Sequence, residues 1–242
     1  MIKLSASSIG TYEKCPKKYH YHYIEKPDIP KQDWSHLEFG KCLHRALELF
    51  HLDLMKNIKS PDEYSLAMRL SFIEALKEFD VELLKPELPT AKNILQKYLD
   101  TIHQNGLPKV VSVELPFQFK IQGLELKGFI DRIDQIGTGK YKVVDYKTNK
   151  NPKYLNNFQL LLYALAVKNH FPDAEEIMGS YVLLKHDCKT MDWVFKKQDI
   201  KNTIDKILKV GKDIETDTLW EKKPSALCNW CDYKDICQNS WV

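Results

Sequence analysis

The 242-residue sequence contains no long hydrophobic run. The longest, Leu160 to Val167, is far shorter than the roughly 20 apolar residues that a membrane-spanning helix needs. Residues 1–8 also lack the apolar centre of a secretory signal. We therefore expect no membrane segment and a cytoplasmic location. In such a reducing compartment, cysteines are expected to be thiols or metal ligands before disulfides.

The sequence also lacks a large excess of charge of either sign. Its 36 Lys+Arg and 33 Asp+Glu residues give a formal net charge of +3. Residues 1–32 hold six lysines and three acids, so this segment alone carries 6 − 3 = +3 and the remainder is neutral. The total charge does not indicate a nucleic-acid-binding protein, but the basic N-terminal segment stands out. Hydrophobic residues make up 43% of the chain, which is enough for a packed core.

Hydrophobic periodicity is helical up to Gly106 and then becomes strand-like. The pattern predicts helices at 36–54, about 60–84, 90–103, 154–169 and 198–215, and strands at 111–121, 124–136, 141–148, 177–185 and 190–196. This order predicts an α/β fold with a mixed central sheet flanked by helices and an N-terminal helical insertion. No linker rich in Pro, Gly or Ser divides the chain, so we expect one domain over 1–242, with a helical region at 36–105 and a core at 107–215.

Two neighbouring strands carry acidic residues that we expect to lie side by side. Asp145 and Lys147 point to one face of their strand because strand side chains alternate. A short turn joins this strand to the one that carries Asp131, so Asp131 and Asp145 can be cross-strand neighbours. An isolated Asp-x-Lys is commonly only an ion pair. Two adjacent carboxylates, however, repel unless a cation lies between them, and Mg²⁺ or Mn²⁺ fits oxygen ligands best.

The helix that follows this hairpin places Gln159 and Tyr163 on one face, since they are four residues apart. Each alone is more simply explained as a polar residue at the edge of the core, and His44 alone as a histidine packed on its helix. Together with the acidic hairpin they form an ordered set. The set is Gly40-x3-His44, Glu114 in a strand, Gly128-x2-Asp131, Asp145-x-Lys147 and Gln159-x3-Tyr163.

This ordered set resembles the RecB-like branch of the PD-(D/E)XK nuclease superfamily. The resemblance implies a restriction-endonuclease-like fold and metal-dependent hydrolysis of DNA phosphodiester bonds. It implies metal binding by His44, Asp131 and Asp145, and catalysis by Lys147 with Asp131 and Asp145. Gln159 and Tyr163 are implied to support the site and the DNA strand. Glu114 matches an acidic position of variable role and is kept as an accessory acid, because it also fits a solvated strand residue.

Four of the six cysteines form a second pattern. Cys228-x2-Cys231-x5-Cys237 supplies three thiols near one end of the chain, and Cys15 is the candidate for the fourth ligand. The donor set alone leaves zinc and an iron–sulfur cluster open. The sequence resembles AddB-type and CRISPR-associated RecB-like nucleases, which implies a 4Fe-4S cluster that staples residues 1–32 to 220–242. Cys42 and Cys188 have no partner at ligand spacing and are expected to be core thiols.

The basic aromatic segment 12–26 can be interpreted in two ways. Lys17 and Lys18 can contact phosphates while Tyr19 and Tyr21 stack on bases. Alternatively, the rings pack beneath the cluster and only the lysines face solvent. The sequence does not decide between them.

These features, together with the resemblance, imply a Mg²⁺- or Mn²⁺-dependent deoxyribonuclease, an exonuclease on single-stranded DNA or duplex ends, acting in repair, recombination or CRISPR-type DNA processing. No G-x4-G-K-[ST] motif occurs, so a separate helicase, or CRISPR adaptation proteins, are the partners expected besides DNA. The alternative is a non-catalytic nucleic-acid-binding or assembly module whose four cysteines hold zinc. It is disfavoured because Asp131, Asp145 and Lys147 are all intact.

Overall fold

The structure is a computed structural model and describes residues 2–29, 35–57 and 60–237. Within these ranges none of the helices is both long enough and apolar enough to cross a membrane. The helices are α1 (Ala6–Lys14), α2 (Pro16–Tyr19), α3 (Ser35–Lys56), α4 (Tyr64–Leu76), α5 (Val81–Leu84), α6 (Leu88–Asn105), α7 (Phe158–His170) and α8 (Lys197–Thr216). The strands are β1 (Lys3–Leu4), β2 (Val110–Ile121), β3 (Leu124–Gly137), β4 (Lys140–Lys147), β5 (Glu176–Leu183) and β6 (Lys189–Val194).

The strands form one mixed sheet in the order β1-β3-β4-β5-β6, with β2 paired to β3. Strand β4 is antiparallel to β3 and parallel to β5, and β5 is antiparallel to β6. Long helices precede β2 and separate β4 from β5. The predicted α/β class and mixed central sheet with flanking helices are therefore confirmed.

The chain divides into two compact units. One comprises Met1–Asp33, Gln118–Gly128 and Lys201–Val242, and the other Trp34–Phe117 and Phe129–Ile200. We call them the terminal unit and the central unit. The predicted stapling segments, 1–32 and 220–242, fall in the terminal unit, and their residues 1, 30–32 and 238–242 lie outside the described residues. The domain assignment stays a prediction.

In the central unit, helices α3, α4 and α6 enclose a core with one side of β4 and β5. Val144, Tyr146, Val182 and Leu184 supply the sheet's part of this core. These positions alternate with Asp145 and Lys147 along β4, so the acidic residues belong to the other side of the sheet. The polar side of β4 is thus separated from this apolar core by the strand itself.

The predicted helix over 60–84 is wrong in its extent. A 3-10 turn at Pro61–Glu63 leads into α4, which ends at Leu76, and α5 begins separately at Val81. Asp80 has extended backbone, and its carboxylate accepts hydrogen bonds from the amides of Glu82 and Leu83 at 3.0 and 3.3 Å. Because this side chain caps a new helix, the chain turns here instead of continuing α4.

Helix α7 packs closely on β5 at Gly179. A Cβ atom at this position would lie 2.6 Å from Phe195 Cζ and 2.8 Å from Leu160 Cβ. We expect Gly179→Ala to lower the free energy of unfolding by about 1–3 kcal/mol, because a methyl group overpacks this contact. Urea unfolding measures the effect. Gly10→Ala is the control, since nothing lies within 4 Å of its new Cβ. Equal stability of the Gly179 variant and the parent would contradict the close packing.

The terminal unit brings the start of the chain together with its middle segment, Gln118–Gly128. Strand β1 runs parallel to the first residues of β3, with Lys3 opposite Glu125 and Leu4 opposite Leu126. Helix α1 begins at a capping box between Ser5 and Ser8. It ends at Lys14, Cys15 is its C-cap residue, and Pro16 then starts α2 at the first helical position.

Candidate active site

Three predicted site residues of the central unit meet in a compact group. One ligand atom each from His44 (α3), Glu114 (β2) and Asp131 (β3) lie within 4.8 Å of one another. His44 Nδ1 is 3.3 Å from Asp131 Oδ2. Among the described residues this is the one group of three or more histidine, cysteine or carboxylate ligands that are so close. Its imidazole and carboxylates suit a divalent cation.

Glu114 is more buried than a solvated acid on a strand would be. Its φ of +44° departs from regular strand geometry, and its side chain is half-buried. Burial raises the pKa of its carboxyl group to about 7, and the nearby charges of Asp131 and Glu48 contribute to this shift. The alternation of β2 gave no sign of this backbone turn. The structure therefore places Glu114 next to His44 and Asp131. The sequence alone did not decide between this position and a solvated one.

Asp131 and Asp145 are the cross-strand neighbours that the hairpin predicted. The next pair along the ladder is Arg132 opposite Val144. Asp131 Oδ2 accepts a hydrogen bond of 2.8 Å from the amide of Tyr146. Burial raises the pKa of Asp131 well above its usual value, and the charge of Asp145 adds to this. Two buried carboxyl groups placed side by side favour a bound cation.

His44 is suited to bind a cation as a neutral imidazole. Burial lowers its pKa, although the acids Asp145 and Glu114 counteract this shift. A neutral ring keeps one nitrogen lone pair available as a ligand. The donor set of His44, Glu114 and Asp131 therefore fits the divalent metal that the sequence predicts. Asp145 is not a member of this three-residue group.

Asp145, Lys147, Gln159 and Tyr163 form a closed ring of polar contacts. Lys147 Nζ is 2.6 Å from Asp145 Oδ2 and donates to Gln159 Oε1 at 2.8 Å. Gln159 Nε2 donates to the hydroxyl of Tyr163 at 2.7 Å, and that hydroxyl donates to Asp145 Oδ1 at 3.4 Å. Burial and Asp145 raise the pKa of Tyr163 well above its usual value, so it remains a donor. The ring fixes the direction of the Lys147 ammonium.

The four predicted cluster cysteines all belong to the terminal unit and line one cavity of about 570 Å³. Cys15 Sγ accepts from the amide of Lys18, and Cys228 Sγ from the amide of Ser225, each at 3.4 Å. Burial raises the pKa of Cys237, and Cys15, Cys231 and Cys228 raise it electrostatically. The predicted fourth partner, Cys15, therefore does lie near the C-terminal three.

Cys42 and Cys188 are core thiols, as expected. Each is 3% exposed in the central unit. Burial raises the pKa of Cys42 to about 11 and that of Cys188 to about 12, so both stay protonated at neutral pH. They pack as small apolar residues.

Tyr19 and Tyr21 do not fit the predicted role of stacking on bases. They are 5% and 8% exposed, and their rings contact Trp220 and Tyr233 of the same unit. The second alternative, in which these rings pack inside the protein, describes them better. Lys18 pairs with Asp232 at 3.2 Å, and Lys17 Nζ lies 4.6 Å from the centre of the Tyr21 ring. A DNA contact of these lysines stays a prediction.

The chain as a whole matches a family of nucleases. A family model of the PD-(D/E)XK nuclease superfamily matches residues 3–238. The chain therefore belongs to the PD-(D/E)XK nuclease superfamily.

Curated relatives are similar to this chain over most of its length. One component of the ATP-dependent helicase/deoxyribonuclease of Streptococcus pyogenes serotype M1 is 27% identical over 223 residues, which cover 84% of this chain and 20% of the relative. The same component from serotype M6 is 28% identical over 223 residues, with the same coverage of 84% and 20%. The chain thus spans about a fifth of the length of these relatives.

A solved structure shares the fold. A Eubacterium rectale protein, named as a candidate exonuclease, superposes with a TM-score of 0.58 at 13% sequence identity. The match covers 99% of this chain and 91% of the other. Together with the family match, this likeness identifies the fold as restriction-endonuclease-like.

Proposed function

We propose that the protein is a metal-dependent deoxyribonuclease, an exonuclease on single-stranded DNA or duplex ends. The observation that carries this proposal is the pairing of the His44–Glu114–Asp131 group with a lysine, Lys147, that is held in place by the neighbouring carboxylate. Membership of the nuclease superfamily and the deoxyribonuclease name of the curated relatives support it.

His44, Glu114 and Asp131 would hold the cation, and Asp145 beside them completes the predicted acidic set. When bound, Mg²⁺ or Mn²⁺ supplies Lewis-acid polarisation of the phosphate and lowers the pKa of water. Lys147 orients the attacking water and stabilises negative charge that develops on the phosphate in the transition state. Gln159 and Tyr163 keep the Lys147 ammonium in place through the hydrogen bonds of the ring.

The cysteine cavity supports the 4Fe-4S alternative over zinc. Four sulfurs bound about 2.3 Å from one zinc ion lie roughly 3.8 Å apart. All four cysteines are among the described residues, yet no three of their sulfurs lie within 4.8 Å of one another. They surround a wider cavity, which suits a multi-atom cluster. Cys15, Cys228, Cys231 and Cys237 would hold it, and its contribution is structural.

The context of this activity is also a proposal. A separate helicase is the partner we expect, because the curated relatives are named as part of a helicase/deoxyribonuclease and this chain carries no G-x4-G-K-[ST] motif. Repair or recombination of DNA in the cytoplasm fits such a partner. The CRISPR context stays a prediction.

A time course on end-labelled DNA tests the proposed function. Single-stranded and duplex substrates labelled at either end are incubated with Mg²⁺ or Mn²⁺, and products are resolved by size. Progressive shortening from one end supports an exonuclease. Binding without cleavage in both metals would instead favour the non-catalytic module.

Metal affinity is expected to decrease as the pH is lowered, because Glu114 must lose its proton before it binds a cation. Its pKa of about 7 means that the carboxyl group is mostly protonated at pH 6 and mostly ionised at pH 8. One displaced proton weakens binding by about tenfold per pH unit below that pKa. Calorimetric Mn²⁺ titrations at pH 6, 7 and 8 measure the slope. Glu114→Gln should bind more weakly and with a flatter slope, and an unchanged slope would contradict a role for Glu114.

A further inference from the structure

A buried polar cluster lies on the other side of β3 and β4 from Asp131 and Asp145. It contains a charged pair, Arg132 and Asp134 on β3, which are 6% and 1% exposed. Around the pair lie His51 of α3, Tyr98 of α6 and Tyr146 of β4, each 3% exposed or less. We call these five residues the Arg132 cluster. None of them belongs to the proposed metal group or to the Lys147 ring.

Arg132 joins three elements of the central unit through its guanidinium group. Its Nε and Nη2 atoms lie 2.9 and 3.0 Å from the two carboxylate oxygens of Asp134. Its Nη1 atom donates to the Tyr146 hydroxyl at 2.9 Å, contacts the Tyr98 hydroxyl, and lies 3.2 Å from His51 Nε2. One side chain therefore links β3 to β4, α6 and α3.

His51 is neutral in this cluster. Burial, and then the charge of Arg132, lower its pKa well below the usual value. Its Nε2 atom lies 2.6 Å from the Tyr98 hydroxyl and 3.2 Å from Arg132 Nη1. Because a guanidinium group can only donate, Nε2 of the neutral ring accepts and Nδ1 carries the proton. That Nδ1 atom is buried without a hydrogen-bond partner among the described groups. An apolar residue would avoid this cost, so stability alone does not account for a histidine here.

The Arg132 cluster is connected to the metal group through α3, β3 and Tyr146. His51 follows His44 by seven residues on α3, which is about two helical turns and returns to the same helix face. Arg132 is the chain neighbour of Asp131. Tyr146 is hydrogen-bonded both to the Arg132 cluster and to the metal group. Its hydroxyl accepts from Arg132, and its amide donates to Asp131 Oδ2. Its ring also meets the His44 ring edge-on at 5.7 Å.

We propose that Arg132 and His51 are positioning residues that fix α3 against β3 and so set the approach of His44 to Asp131. The consequence for metal binding rests on the proposed function, but the positioning itself does not. When the His51 contact is lost, α3 can rotate about its axis or shift along it. His44 is the metal ligand on α3, so it is the ligand that moves. Strands β3 and β4, which carry Asp131 and Asp145, keep the backbone hydrogen bonds between them.

His51→Leu tests the proposal, because it removes the hydrogen-bond acceptor and fills its space with an apolar side chain. We expect a folded variant whose crystal structure shows His44 Nδ1 displaced from Asp131 Oδ2, which are 3.3 Å apart in the parent. Mn²⁺ affinity should fall by about tenfold or more, as when other supporting groups of metal ligands are removed. His51→Gln keeps an acceptor and should restore part of the affinity.

Phe72→Leu is the matched control, since Phe72 of α4 is buried in the same apolar core but is outside the cluster and on a different helix from His44 and His51. It should lower the melting temperature without changing Mn²⁺ affinity. A His51→Leu protein with parental Mn²⁺ affinity and an unmoved His44 would overturn the proposal. If the parent itself neither binds Mn²⁺ nor cleaves DNA, the proposed function fails, and the displacement of His44 still decides the positioning role.

Discussion

Lys147→Ala is expected to reduce DNA cleavage by about a hundredfold to a thousandfold or more, the range found when a preorganised electrostatic group is removed. The Lys147 ammonium is placed by Asp145 at 2.6 Å and Gln159 at 2.8 Å, so it is fixed before substrate binds. Because its charge acts mainly in the transition state, the loss should fall on kcat. Single-turnover cleavage of end-labelled DNA measures this step directly.

The controls separate loss of chemistry from loss of fold. Lys142→Ala removes a lysine from the same strand but from the opposite side of β4, and it should cleave at the parental rate. Asp145→Ala should also abolish cleavage while circular dichroism remains unchanged. Full activity of both the Lys147 and Asp145 variants would refute the assignment of this site. Retained DNA binding by both would show that the defect lies in catalysis.

The acidic hairpin could be predicted because strand geometry leaves few choices. Side chains alternate along β3 and β4, and the short turn near Gly137 and Gly139 limits the register. Pairing of the two strands brings Asp131 next to Asp145, although the register also depends on a bulge between Gln135 and Gly137 that the sequence pattern does not show. The hydrophobic pattern that identifies the strands therefore also identifies the pair.

The position of Glu114 could not be predicted in the same way. Its positive φ interrupts the regular twofold alternation of β2, so the side chain does not follow the strand pattern. No glycine or proline at that residue marks the change. Similarly, the sequence places Gln159 and Tyr163 on one helix face but cannot specify which atoms of Lys147 and Asp145 they contact.

Burial of the aromatic residues was the other open question. Tyr19 and Tyr21 have the composition of a base-stacking segment, and only the partners Trp220 and Tyr233 decide that they pack internally. Those partners lie about 200 residues away, beyond the reach of any local pattern. A pattern of residues thus predicted the acidic pair, whereas long-range packing decides that the N-terminal rings lie inside the protein.

Cys231→Ala is expected to remove the proposed iron–sulfur cluster and to destabilise the protein. The four cysteines join Cys15 to residues more than 200 positions later, and linking distant segments restricts the unfolded chain most. If the link contributes about 3 kcal/mol, as a typical covalent cross-link does, the melting temperature falls by roughly 6–12 °C. Anaerobic purification, iron and zinc analysis and thermal unfolding measure metal content and stability together.

Cys42→Ala is the matched control, because Cys42 is a buried thiol of the central unit and does not line the cysteine cavity. It should keep the iron content of the parent and the brown colour expected of an iron–sulfur protein. Its stability should fall only by the amount that a small core cavity costs. A Cys231→Ala protein as stable as the parent would contradict the stapling role. A colourless parent with stoichiometric zinc would assign the cavity to zinc, and the spacing of its sulfurs would then have to contract on binding.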